Sequence, residues 1–235
     1  MNKRLKEIRE SEKRSHEAIY LNETLYKSDG WLKKPINTVL ELIPLFRDYN
    51  ELNVLDLGCG VGRNVIPFAT EYNDKCHADC VDILKIAIEK LDEAANTYNV
   101  RSSINGIVSA IEDFYISRDK YDLIMAISAL EHIDSRNSFE SKLKEISIGL
   151  KHNGIVCLVI NTDVSEFDKL SKKSLPAQFE VNFKADELKA ILNGVFNDFE
   201  VLKYTVREQA YDIPRDSLIS ELHTNVLTFV ARKGF

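Results

Sequence analysis

The chain is poor in residues that break or staple structure. Its 235 residues include five prolines, nine glycines and one tryptophan. So few breakers exclude a collagenous or linker-rich protein. Nowhere does it carry the roughly 18 consecutive apolar residues that a membrane span needs. The N-terminal stretch MNKRLKEIRESEKR has no apolar segment behind its charges, so it does not read as a secretory signal. The four cysteines, Cys59, Cys76, Cys80 and Cys157, are then expected as free thiols of a cytoplasmic protein. Cys76 and Cys80 flank His77, but no second ligand pair lies nearby, and no metal centre is expected. Positive charge is not in excess either. Lys plus Arg number 31 against 37 Asp plus Glu, a formal net charge of −6. This argues against generic nucleic-acid binding, while leaving room for a local basic patch.

What is present is ordinary for a folded domain, with 44% hydrophobic and 29% charged residues. The length allows one large domain, or a domain with appendages. Residues 1–34 read as an N-terminal helical cap and 35–235 as the main domain. The cap carries a sparse stripe of Leu5, Ile8, Ile19, Leu21 and Leu25. Its basic cluster (Lys3, Arg4, Lys6, Arg9, Lys13, Arg14) alternates with Glu7, Glu10 and Glu12, as on a solvated helix with i,i+4 pairs. A turn is expected at Asp29-Gly30. Residues 35–47 place Ile36, Val39, Leu40, Ile43 and Phe46 on one helical face.

From residue 52 strands and helices alternate. LNVLDLG, CHADCVD, SSINGIVSA, YDLIMAIS and GIVCLVI read as strands. Residues 61–72, 83–97 and 136–150 read as helices, the last stopped by His152-Asn153-Gly154. The alternation implies a parallel, doubly wound α/β sheet with crossover helices, and the near-continuous apolar strands imply cover on both faces. After a helix at 184–193, FEVLKYTVRE and HTNVLTFVARK are strand-like, separated by a polar spacer containing Pro214. They are expected to pair antiparallel at one sheet edge.

The chemistry concentrates in VLDLGCGVGRN, residues 54–64. A strand ends near Asp56, and Gly58, Cys59, Gly60 and Gly62 lead toward a helix. Glycines at that point let the backbone turn tightly and approach a ligand. In open parallel sheets ligands bind beyond the carboxyl ends of the strands. Asp82 ends the next strand, placed to accept hydrogen bonds from both hydroxyls of an adenosine ribose. A dinucleotide fingerprint would need a third glycine at Arg63. Moreover, a carboxylate at Asp56 repels a pyrophosphate but attracts an ammonium. A cationic amine near the loop and a ribose near Asp82 are both features of S-adenosylmethionine.

VLDLGCGVGRN, Asp82, YDLIMAISALEHI and GIVCLVI together resemble the ordered motifs of class I S-adenosylmethionine-dependent methyltransferases. The resemblance runs over residues 35–233. GCGVGRN and the tail are similar to the tellurite-resistance-type and related small-molecule methyltransferases. The resemblance implies a mostly parallel seven-stranded sheet with an antiparallel last strand. It implies that Asp56, Gly58, Cys59 and Gly60 surround the methionine moiety, that Asp82 holds the ribose and that Ile83 lies on the adenine. Arg63 and Asn64 contact the cofactor carboxylate or cap the helix. The family's acidic adenine contact falls at Ala110 here, leaving the Ile111 backbone or the Glu112 side chain to serve. Ala126 and Ile127 flank the methionine end.

For the acceptor, His132 is the candidate base, and Tyr26, Trp31 and Phe179 are candidate substrate contacts. No Asn-Pro-Pro-Tyr or Asp-Pro-Pro-Tyr follows the fourth strand, which by analogy argues against methylation of adenine or glutamine amino groups. The expected activity is in-line methyl transfer to a small molecule by a monomer or homodimer. Transfer to RNA or protein, a nicotinamide oxidoreductase, and a non-catalytic cofactor-binding protein are the alternatives.

Overall fold

A computed structural model of the chain describes residues 3–27, 30–215 and 218–234; Asp29 of the expected turn lies outside them. Five parallel strands form the core of the sheet: β1 (Leu52–Leu57), β2 (Cys76–Asp82), β3 (Ile104–Val108), β4 (Tyr121–Ile127) and β5 (Leu150–Asp168). The tail adds β7 (Phe199–Arg215) and β8 (Leu218–Lys233), and the order along the sheet is β3-β2-β1-β4-β5-β8-β7. Strand β8 is inserted antiparallel to both neighbours. A two-residue strand, β6 (Ser174–Leu175), joins β5 off this path, so the expected seven strands are eight. Order reverses between β1 and β4, and their carboxyl ends form the crevice where such sheets bind ligands.

Both faces are covered. Val54, Cys80, Leu123 and Met125 pack under α3 (Ile66–Tyr72) and α4 (Lys85–Thr97). Leu55, Leu57, Val81 and Ile124 pack under α5 (Arg136–Gly149) and α6 (Ala185–Val195). Two-sided burial is what the apolar strands foretold, since adjacent residues point to opposite faces. The long N-terminal helix α1 (Lys3–Asn22) buries Ile8 and Tyr20 but leaves Leu21 exposed. All four cysteines are free and buried.

Several elements depart from expectation. Helix α3 starts at Ile66, not residue 61, because residues 61–65 form turns that finish the glycine loop. The helix expected over 35–47 is α2 (Asn37–Leu42), which tightens into a 3₁₀ turn at Ile43–Phe46 around Pro44. Its buried residues are Val39, Leu42 and Phe46, while Leu40 is exposed. His152-Asn153-Gly154 does not stop a helix. Helix α5 ends at Gly149 and β5 follows at once, with Asn153 at φ 62° where the β4–β5 register slips. Residues 209–215 and 218–222 of the polar spacer are hydrogen-bonded strand, so β7 and β8 pair along their whole described length.

Phe139 of α5 is fully buried, with its ring 4.8 Å from that of Phe183. Phe139→Ala should therefore destabilise the fold by about 3–5 kcal/mol. Urea unfolding should show this as a lower midpoint at an unchanged slope.

Candidate active site

A cavity of about 800 Å³ opens at the carboxyl ends of β1, β2 and β4. That is within the size range of small-molecule sites. Its floor is the loop after β1, with Asp82, Ile83, Ile111, Ile127 and Ser128 around it. Its roof is α1, which contributes Arg9, Glu12, His16 and Tyr20. Gly58 and Gly60 have φ of +71° and +53°, the left-handed region that glycine enters without strain. A Cβ on Gly58 would fall 2.4 Å from the Ala129 Cβ, and one on Gly60 would fall 2.9 Å from the Tyr20 hydroxyl. The loop is thus a cradle with room only for bare backbone.

Asp82 stitches this loop to β2. Its Oδ2 accepts the Gly60 N–H at 2.9 Å and its Oδ1 accepts the Leu84 N–H at 2.9 Å. Each oxygen keeps a further lone pair for a ligand hydroxyl. Asp56 lies behind the loop rather than in the cavity wall. It is 1% exposed and its Oδ2 has no hydrogen-bond partner. Burial, assisted by the charge of Asp82 and opposed by Arg63, pushes its carboxyl up to about 7. Arg63 lines the cavity with its guanidinium 5.0 Å over the Trp31 ring and Nη1 donating to the Trp31 carbonyl at 2.7 Å. Its Nε is buried and unpartnered.

The other expected residues divide. Cys59, Asn64, Glu112, Ile127 and Trp31 line the cavity. Neither Arg63 nor Asn64 caps α3, whose N-cap is Val65 without a side-chain bond. Asn64 instead accepts the Ile36 N–H at 3.2 Å. Tyr26 is not in the cavity wall. Its hydroxyl donates to the Arg63 carbonyl at 2.5 Å and its ring packs edge-on to Tyr98, so it braces the loop from behind. Phe179 is also outside the wall, stacked on His132 at 5.2 Å.

His132 lines the cavity, but not as a free base. Its Nδ1 lies 2.9 Å from Glu180 Oε2. Burial opposes its charge, yet the Glu180 bond and the charges of Glu131, Glu180 and Glu12 outweigh it and raise the imidazole to about 9. At neutral pH it is an imidazolium. The cavity wall also includes groups with no local signal in the chain. Arg9 of α1 bonds Glu112 and lies 3.7 Å from Glu180. Tyr211 comes from the tail hairpin. Ser128 holds φ 52° with its N–H on the Val159 carbonyl; its position just past a parallel strand could have marked it.

Residues 54–154 match a family described as a methyltransferase domain. The chain is 29% identical over 125 residues to the ubiquinone biosynthesis O-methyltransferase of Rickettsia typhi (strain ATCC VR-144 / Wilmington), covering 52% of this chain and 47% of that protein. It is 30% identical over 113 residues to the protein of that name from Rickettsia akari (strain Hartford), covering 48% and 41%. The matched segment thus spans less than half the length of either relative. Among solved structures, TehB from Haemophilus influenzae superposes with a TM-score of 0.62 at 21% identity, covering 84% of this chain and 62% of that one. The [4+2]-cyclase SpnF also gives 0.62, at 12% identity over 97% and 96%. Residues 54–154 are thus similar to a methyltransferase domain, and the sheet has the fold of TehB.

The residues present fit S-adenosylmethionine. Arg63, which lines the cavity and has a buried, unpartnered Nε, suits the carboxylate of a methionine, and Asp56 would act on the ammonium only through the loop in front of it. The cradle suits the methionine's close approach, Asp82 would hold the ribose, and Ile83 and Ile111 offer apolar surface for the adenine.

An unfolded aspartate ionises near its ordinary 3.8, whereas Asp56 in the fold waits until about 7. Between these values the unfolded chain releases a proton that the folded one keeps, so the native state loses stability as pH rises. Asp56→Asn should match the parent below about pH 4 and be more stable above about pH 7. Thermal unfolding across that range checks this, and S-adenosylhomocysteine binding should weaken in the same variant.

Proposed function

We propose that the protein transfers the methyl group of S-adenosylmethionine to an oxygen of a small-molecule acceptor, with residues 1–34 as its cap. The cavity carries the reading: α1 covers part of it, leaving a space of small-molecule size. The names of the Rickettsia relatives support oxygen as the acceptor atom. Bound S-adenosylmethionine supplies an electrophilic methyl group on a sulfonium. The chain's own residues align the reactants and exclude water, which accounts for much of the rate in such displacements. Asp82, Arg63 and the glycine cradle fix the cofactor; α1 closes over it.

Calorimetry with S-adenosylmethionine and S-adenosylhomocysteine tests the cofactor site. Asp82→Ala should weaken binding by about 1–3 kcal/mol, roughly 5- to 150-fold, through lost bonds to a charged acceptor. Unchanged affinity in the folded variant would exclude the assignment. Mass spectrometry of a panel of small hydroxylated acceptors should show a 14-Da gain per methyl transferred, and modification of RNA or protein alone would reverse the acceptor class.

A further inference from the structure

On the cavity wall just past β4, His132 has a ring nitrogen that is not used within the fold. His132 Nδ1 is taken by Glu180, whose side chain is 2% exposed, at 2.9 Å. The other ring nitrogen, Nε2, has no hydrogen-bond partner among the described residues, and the ring lines the cavity. The acids around it already have cations of their own. Glu112 bonds Arg9, and Glu12 pairs with Arg215 at 3.5 Å. Glu180 itself lies 3.7 Å from Arg9 and 2.9 Å from His132. Glu131, next in the chain, is fully buried, with Oε1 accepting both Asn161 nitrogens, and burial raises its carboxyl toward the neutral form. Asp82 also feels His132, and its oxygens accept from the glycine loop and Leu84.

An imidazolium with one N–H fixed on a carboxylate and the other directed at a ligand is a donor, not a proton acceptor. Resting on the methyl-transfer reading above, we propose that the acceptor binds as an oxyanion, a phenolate or carboxylate oxygen, on the Nε2–H of His132. Glu180 is the positioning residue that fixes the ring and its charge. An acceptor that arrives as an oxyanion has no proton to lose, so His132 keeps its own and no general base is required. Phe179, stacked on the outer face of the ring, holds its plane.

The test follows the imidazole signals of the full chain, labelled with ¹³C-histidine, through a pH titration. Loss of one signal in His132→Asn assigns it. His132 should titrate near 9, and Glu180→Gln should lower this by more than about one unit, toward the ordinary 6.5. Titration near 6.5 in the parent, or no change in Glu180→Gln, overturns the proposal. A second measurement uses benzoate and benzamide, alike in shape and different in charge, with S-adenosylhomocysteine present. At about pH 8 benzoate should bind the parent at least about tenfold more tightly than benzamide and shift the His132 signal. The preference should shrink in Glu180→Gln, where less of the ring is charged at that pH. Equal binding of the two probes by the parent, or binding of neither, overturns the proposal. Failure of S-adenosylhomocysteine to bind would count against the cofactor reading instead, since the histidine titration is measured without it.

Discussion

The Asp82 carboxylate, holding the N–H groups of Gly60 and Leu84, is the contact on which the site depends. One side chain at the end of β2 ties down both the loop after β1 and the turn into α4. A loop with three left-handed glycines, Gly58, Gly60 and Gly62, is costly to order, since glycine loses more backbone freedom on folding than any other residue. Two charge-assisted hydrogen bonds offset part of that cost. They also turn the carboxylate toward the crevice with lone pairs to spare. The same group therefore shapes the cradle and reads the ligand.

The roof is held by long-range charge pairs as well as by buried Ile8 and Tyr20. Arg9 reaches Glu112 and Glu180 on one side of the cavity. On the other, Arg215 of β7 joins Glu166 at 2.9 Å and Glu12 of α1 at 3.5 Å, while Ser220 donates to Glu166 at 2.5 Å. Glu166 and Glu180 are the buried members, so removing the cation beside either leaves a buried carboxylate uncompensated. The i,i+4 pairs that the basic cluster suggested are present, as in Lys3–Glu7 and Lys13–Glu17. The first is solvent-exposed, whereas Lys13 and Glu17 stand at the cavity rim; both pairs support the helix itself.

How far the chain could be read from its letters follows from the range of each interaction. The parallel core, the glycine loop and Asp82 were legible because strand periodicity, turn glycines and a carboxylate at a strand end are local patterns. The start of α3 was misplaced because residues 61–65 look helical in composition but are committed to the loop. His152-Asn153-Gly154 looks like a stop, yet it is a bulge imposed by pairing with β4. The spacer around Pro214 gives no strand signal; its partners across the hairpin make it one. Arg9, Glu180 and Tyr211 come from three distant segments, and nothing in their neighbourhoods announces that they meet. Tyr26 and Phe179 were placed in the right region, but one step behind the surface that a ligand touches. His132 lines the cavity, while the partner that decides its proton lies 48 residues away.

The four buried cysteines have a practical corollary. Only the thiolate reacts readily with maleimides or iodoacetamides. Burial keeps these thiols protonated, pushing Cys76 and Cys157 up to about 12. A cysteine introduced on the outer face of α1 would thus be the preferred point of attachment for a fluorophore or spin label. The movement of the roof over its cavity can then be followed in the otherwise unaltered chain.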